Sequence, residues 1–139
     1  MGSAVSLRDV LAFILSRAGC ISPFRISRIL VLANWKIMEE EGKPAIRFKV
    51  EGFHAGFAVP EIEQIKRNIK EGKDTCFKIN QEGKCIEYLC EEEPTIPEEL
   101  SRLFSDLLNE VKNLDDTSLN RLVIRDPRYN ELLKKGGFI

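Results

Sequence analysis

Residues 51–65 read EGFHAGFAVPEIEQI, and the reading of this stretch decides between two kinds of protein. It holds His54, the single histidine of the chain, between Gly52 and Gly56. As an active-site loop it would centre an enzyme on that imidazole. As a turn it would end one extended segment and launch a helix. Glycines on both sides allow a sharp reversal. Pro60 then suits a first helical position, with Glu61 and Glu63 at the positive end of the helix. Lys66, Arg67 and Lys70 fall toward its negative end, and Ile62, Ile65 and Ile69 form its apolar stripe. The stretch reads as a turn and a helix over residues 60–72, with His54 a structural member of the turn.

The chemistry around His54 agrees. A catalytic or metal-bound imidazole needs a partner that orients its second nitrogen, and ligands or a nucleophile within reach. Only Glu51 and Glu61 lie nearby in sequence, and no GxSxG, HExxH or paired-carboxylate motif occurs. GFHAG lacks both the Gly-Lys-Ser/Thr of a phosphate loop and the three glycines of a dinucleotide fingerprint. The expectation is no catalytic residue, no metal site and no cofactor.

Upstream, SLRDVLAFILSRAGC (6–20) offers Ser6 as an N-cap, apolar residues at helical spacing and Gly19 as the stop. SPFRISRILVLANWKIMEEEGK (22–43) repeats the signature, with Ser22 capping, Pro23 at the first position and Gly42 at the end. Its apolar residues wrap more than half the circumference, which marks the central helix and predicts a buried Trp35. After Pro44, AIRFKVEGF alternates Ile46, Phe48 and Val50 with Arg47, Lys49 and Glu51, a half-buried strand.

Downstream, TCFKINQEGKCIEYLC (75–90) reads as a hairpin turning at NQEG. Opposing Phe77 with Ile86 and Ile79 with Lys84 gathers Phe77, Ile79, Ile86 and Tyr88 on one face. In that register Cys76 and Cys85 are not opposed, which argues against a disulfide between them. Residues 91–97 form an acidic link, and Pro97 opens a strongly amphipathic helix through Leu100, Leu103, Phe104, Leu107, Leu108 and Val111. A further short helix capped by Asp116 or Thr117 breaks near Asp126-Pro127 before a last turn.

Length and composition fit a single domain over residues 1–139, with 43% hydrophobic and 31% charged residues. The net charge of −1 provides no global field for nucleic acid or an acidic membrane surface. It is uneven, however: residues 1–50 carry eight Lys/Arg against four acids, and residues 75–139 carry nine against thirteen. Such asymmetry permits a local anionic contact or an interface with a complementary partner, a homodimer included. Cys20, Cys76, Cys85 and Cys90 show no CxxC spacing and read as buried, reduced packing residues. With no signal peptide and no apolar run near the roughly 20 residues of a membrane span, the expected location is cytoplasmic, away from membranes. MGSAVS at residues 1–6 fits a short myristoylation pattern and equally an expression remnant.

Two helices, a strand, a further helix and a hairpin follow a winged-helix-like order. The helix over 60–72 would present Gln64, Lys66, Arg67, Asn68 and Lys70, side chains suited to base edges and phosphates. Arg17, Arg25 and Arg28 would add phosphate contacts. Against this, the hairpin tip carries Glu82 beside Lys84, and an acidic run follows.

The run ISPFRISRILVLANWKIMEEEGKPAIRFKVEGFHAGFAVPEIEQI (21–65) resembles the SocA-like antitoxin domain, also called the Panacea domain. In that family a helix with a KLLYLA-like core precedes a GKP turn, an extended segment, a GP turn and a helix opening with Pro-Glu. Here Arg28, Ile29, Leu30, Val31, Leu32 and Ala33 match the core helix. Gly42, Lys43 and Pro44 match the first turn, and Gly56 with Pro60 and Glu61 match the second turn and helix start. PEELSRLFSDLLNEVKNLDDTSLNRLVIRDPRY (97–129) is similar to the closing helices. Val31 stands in place of the family's tyrosine, and Phe57 in place of the proline after the glycine. The resemblance implies a mainly helical, non-enzymatic domain that binds a protein partner, typically a toxin, or adapts another protein to degradation. The combined expectation is an α+β, mainly α, bundle-like domain with a small hairpin that acts as a protein-binding module. A winged-helix-like DNA-binding regulator is the alternative.

Overall fold

Each helix begins where the chain offers a cap or a proline. The computed structural model describes residues 5–80, 82 and 84–135; most of the MGSAVS segment, and Gln81 and Gly83 of the NQEG stretch expected to turn, lie outside the described residues. Helix α1 spans Leu7–Ala18, with the Ser6 hydroxyl accepting from the Asp9 amide and Gly19 as the C-cap. Helix α2 spans Pro23–Glu41, with Ser22 accepting from the Arg25 amide. It ends at Gly42, whose φ of 75° is the left-handed cap that glycine adopts without strain. Then come the hairpin β1 (Glu51–Phe53) and β2 (Gly56–Ala58), helix α3 (Pro60–Lys70), and the hairpin β3 (Phe77–Asn80) and β4 (Cys85–Tyr88). Helices α4 (Glu98–Val111), α5 (Asp116–Ile124) and α6 (Pro127–Lys134) close the chain. The architecture is α+β and mainly α.

Helix α2 is the centre, packed against α4 and α5, while α1 packs on α4 and β4. Trp35 is only 4% exposed, as its place on the wrapped apolar helix leads one to expect. Three polar side chains on α2, Ser27, Arg28 and Asn34, are also buried. Asn34 donates to the Ile46 carbonyl at 2.7 Å and accepts from the Ile46 amide at 3.3 Å. Arg28 is treated below.

The structure differs from the sequence reading at several points. Residues 45–50 alternate in burial as expected, yet regular strand pairing begins only at Glu51. Among the described residues no continuous strand lies beside the earlier ones. They are held by an isolated bridge to Val5, by Asn34 and by Glu61, which accepts from the Lys49 amide at 2.9 Å. Helix α3 stops at Lys70 rather than at residue 72, α5 is capped by Asp115, and the last turn is a two-turn helix with Asp126 as its cap.

In the second hairpin the pairs are Phe77 with Tyr88 and Ile79 with Ile86, two residues away from the expected register. A two-residue shift preserves the face of every side chain, so Phe77, Ile79, Ile86 and Tyr88 still share one. The observed register lets the Leu89 amide donate to the Cys76 carbonyl at 2.6 Å and Cys90 reach Cys76, and Ile86 separately exchanges both backbone hydrogen bonds with Ile21, at 3.2 and 2.9 Å. Lys84 completes the turn in the left-handed region, with φ of 53°.

The expectation of reduced cysteines is overturned. Cys20 is bonded to Cys85 and Cys76 to Cys90, leaving no free cysteine. Cys76 and Cys85 are indeed not paired with each other. The partners of each bridge converge because the 21–86 bridge brings Cys20 beside Cys85, and because the Leu89 amide donates to the Cys76 carbonyl next to Cys90. Nor are these residues uniformly buried, since Cys20 is exposed. No helix of the described chain is long and apolar enough to cross a membrane.

Candidate protein-binding site at the first hairpin

A hairpin of two three-residue strands is marginal by itself, yet β1–β2 is held by three helices. Phe53 pairs with Gly56, so His54 and Ala55 form a two-residue turn. From α6, the Tyr129 hydroxyl lies 2.6 Å from the Phe53 carbonyl oxygen and 3.1 Å from that of Gly56. From α5, Asn120 donates to the Ala55 carbonyl at 3.2 Å. From α2, Arg28 donates to the Phe57 carbonyl at 2.8 Å. Four carbonyls of the hairpin thus lie within hydrogen-bond reach of side chains far away in sequence, those of Phe53 and Gly56 sharing the one Tyr129 hydroxyl proton.

Arg28 is the hub. It is 2% exposed, with its guanidinium 3.8 Å from the Phe24 ring centroid and 4.0 Å from that of Phe57. Its Nε and Nη2 donate to Asn120 Oδ1 at 3.0 and 2.9 Å, and Nη1 also donates to the Ser27 hydroxyl at 2.8 Å. These acceptors are neutral. Burial pushes the guanidinium down to about 10, with the fields of Tyr129 and Asp116 opposing, so it stays charged at neutral pH. The two aromatic faces supply much of what water would otherwise give the cation. Tyr129 is fully buried, and burial raises its hydroxyl above the usual tyrosine range.

Two glycines make the close packing possible. A Cβ on Gly52 would strike the Gly56 carbonyl oxygen and come within 2.6 Å of Phe57 Cα. One on Gly56 would sit 3.3 Å from Arg28 Nη2. Phe57, paired with Gly52, turns inward and packs on Tyr129 at 5.6 Å between ring centroids. Phe53 faces the other way. At 65% exposure it is the most exposed of the exposed large apolar side chains, and the exposed His54 ring meets its edge at 6.0 Å.

The residues considered for nucleic acid divide. On α3, Arg67 donates to Gln64 at 2.6 Å, Gln64 donates to Asn68 at 3.0 Å, and Lys66 pairs with Glu63 at 3.4 Å. Arg67 and Lys70 are exposed. Arg25 is turned toward the start of α5, donating to the Val111 and Leu114 carbonyls and pairing with Asp116 at 2.9 Å. Arg28 is buried and cannot reach a phosphate, which corrects its place in that set. Arg17 lies over Phe13 and pairs with Glu93 at 3.6 Å. Among the described residues no group of three or more His, Cys, Asp or Glu is placed to hold a metal ion.

Sequence reasoning missed Asn120 and Tyr129, and it placed Arg28 on the surface. One signal was present: Phe24, Arg28, Val31 and Trp35 recur at spacings of three and four on α2, which puts an arginine on an otherwise apolar face. A scan of the chain against protein-family models returned no match, and neither did comparisons with curated proteins and with solved structures.

Proposed function

We propose that this chain is a non-enzymatic protein-binding module that presents the β1–β2 hairpin tip to its partner. The observation that carries the reading is Phe53, 65% exposed on a turn whose carbonyls are tied to α2, α5 and α6. Exposing a large aromatic ring on a rigid support lowers the ordering cost of association, and aromatic anchors dominate binding energy at protein interfaces. The resemblance to SocA-like domains supports the same class of function, with a toxin or a protein destined for degradation as the partner. On this reading His54 widens the apolar contact beside Phe53 and carries no chemistry. A DNA-binding regulator using α3 is the competing proposal, and the exposed Arg67 and Lys70 favour it.

The discriminating experiment compares the unmodified chain with Phe53→Ser and with the triple change Lys66→Ala, Arg67→Ala, Lys70→Ala. Each is assayed for partner capture with cross-link mapping, and for duplex DNA binding across salt concentrations. A partner cross-linked around residues 53–56, lost about tenfold or more in Phe53→Ser and retained in the triple variant, is the expected result. Sequence-selective duplex binding at physiological salt would overturn it, if abolished by the triple change and falling with salt at a log–log slope near −0.9 per phosphate contact.

A further inference from the structure

The two disulfides sit in opposite surroundings. Cys20–Cys85 lines an open cavity of about 490 Å³, bounded also by Arg25, Lys112, Leu108 and Asp116. Cys20 is exposed and lies just before the amino-terminal end of α2, where backbone amides and the helix dipole favour negative charge. Arg25 is occupied by Asp116. Lys112 is exposed and has no ion-pair partner among the described residues. Cys76–Cys90, by contrast, runs directly into Glu91, Glu92 and Glu93, and among the described residues only Glu93 of these has an ion-pair partner, Arg17.

Thiol–disulfide exchange proceeds through a thiolate, so the charge beside a disulfide selects which one is attacked. We propose that Cys20–Cys85 is a site of exchange with low-molecular-weight anionic thiols, which enter this cavity and attack the Cys20 sulfur. The thiolate forms a bond to Cys20 Sγ, the Cys20–Cys85 bond breaks, and the electron pair leaves on Cys85 as a thiolate. A second thiolate attacks the outer sulfur of the mixed disulfide, releasing the oxidised small disulfide and the Cys20 thiolate. In sum, two thiols lose two electrons and their two protons end on Cys20 and Cys85. The neighbouring residues stay together throughout, because Ile21 and Ile86 exchange two backbone hydrogen bonds that do not involve sulfur. Opening is therefore local and reversible. It is independent of whether the hairpin tip takes a partner, since the cavity is lined by residues of α1, α2, α4, β4 and the start of α5 and by none of the residues 51–58.

The test uses the full chain with both disulfides formed, exposed to reduced glutathione and, separately, to uncharged 2-mercaptoethanol. Acid quenching, alkylation and peptide mass mapping then follow each cysteine over time. The expected result is a glutathione adduct on Cys20 with Cys85 free, appearing about tenfold faster than any opening of Cys76–Cys90, with the helical circular dichroism retained. Lys112→Glu should slow the glutathione reaction about fivefold, the effect of a nearby surface charge, and the 2-mercaptoethanol reaction only about twofold, because that thiolate carries one negative charge rather than two. Equal opening of the two disulfides overturns the proposal. So does an adduct on Cys85, loss of the fold on opening, or an equal effect of Lys112→Glu on both thiols.

Discussion

Arg28 on α2 donates to the carbonyl oxygen of Phe57 at 2.8 Å while its guanidinium lies 4.0 Å from the Phe57 ring centroid, so one side chain holds both the backbone and the ring of the hairpin. The same cation spends two further donors on Asn120, which in turn donates to Ala55. Removing it leaves buried acceptors with no donor, and a buried acceptor without a donor is costly.

Arg28→Lys should therefore behave as a damaging change despite keeping the charge. An ammonium cannot fork between Asn120 and Phe57 or lie flat between two rings. The expected loss is about 2–3 kcal/mol by urea unfolding, the scale of hydrogen bonds from a charged donor. Faster amide exchange should appear in residues 51–58. A lysine variant as stable as the parent would sink the role assigned to this network.

Gly52→Ala should cost more than Gly72→Ala. At Gly52 the added methyl meets backbone atoms of Gly56 and Phe57, which cannot step aside without opening the hairpin. At Gly72 it meets nothing within 4 Å, and only the φ of +75° is unfavourable. About 3 kcal/mol is expected at Gly52, at the upper end of overpacking, against about 1 kcal/mol at Gly72. Thermal unfolding of the two variants side by side checks the order.

Acid should destabilise the fold through two aspartates. Asp126 is held below the usual carboxylate range by its hydrogen bond to Arg128, and Asp74 by its hydrogen bond to Arg8. Both folded values are depressed, so their contribution is complete above the ordinary value of 3.8 and is lost as pH falls through the folded values. Both pairs are partly open to solvent, so the effect is modest. Unfolding temperature should fall below about pH 4, and the fall should be shallower in Asp74→Asn/Asp126→Asn. An unchanged acid slope in the double variant would count against these pairings.

Trp35 should report on α6. It is 4% exposed and lies 4.7 Å from the Arg128 guanidinium, measured to the ring centroid. Native emission should be blue-shifted and poorly quenched by acrylamide. Arg128→Ala should shift it to the red and increase quenching without unfolding the chain. An emission matching free tryptophan in the native protein would contradict the packing of α2.

Local chemistry along the chain set the first two helices and their ends. Ser6, Ser22, Gly19 and Gly42 act within a few residues of where they stand, through hydrogen bonds and φ preferences that need no distant partner. The turn at His54 was legible for the same reason, because Gly52, Gly56 and Pro60 announce a reversal followed by a helix. The tertiary structure decided what those local rules leave degenerate. Two registers of the second hairpin place the same residues on the same face, and the Cys76–Cys90 bridge with the Leu89–Cys76 hydrogen bond separates them, while β4 is set against the rest of the fold by the contact of Ile86 with Ile21, 65 residues away. The pairing of Cys20 with Cys85 follows from that same contact. Arg28 reads as a surface charge until Asn120, 92 residues downstream, supplies its acceptor, because no short-range pattern encodes which buried oxygen will meet a cation.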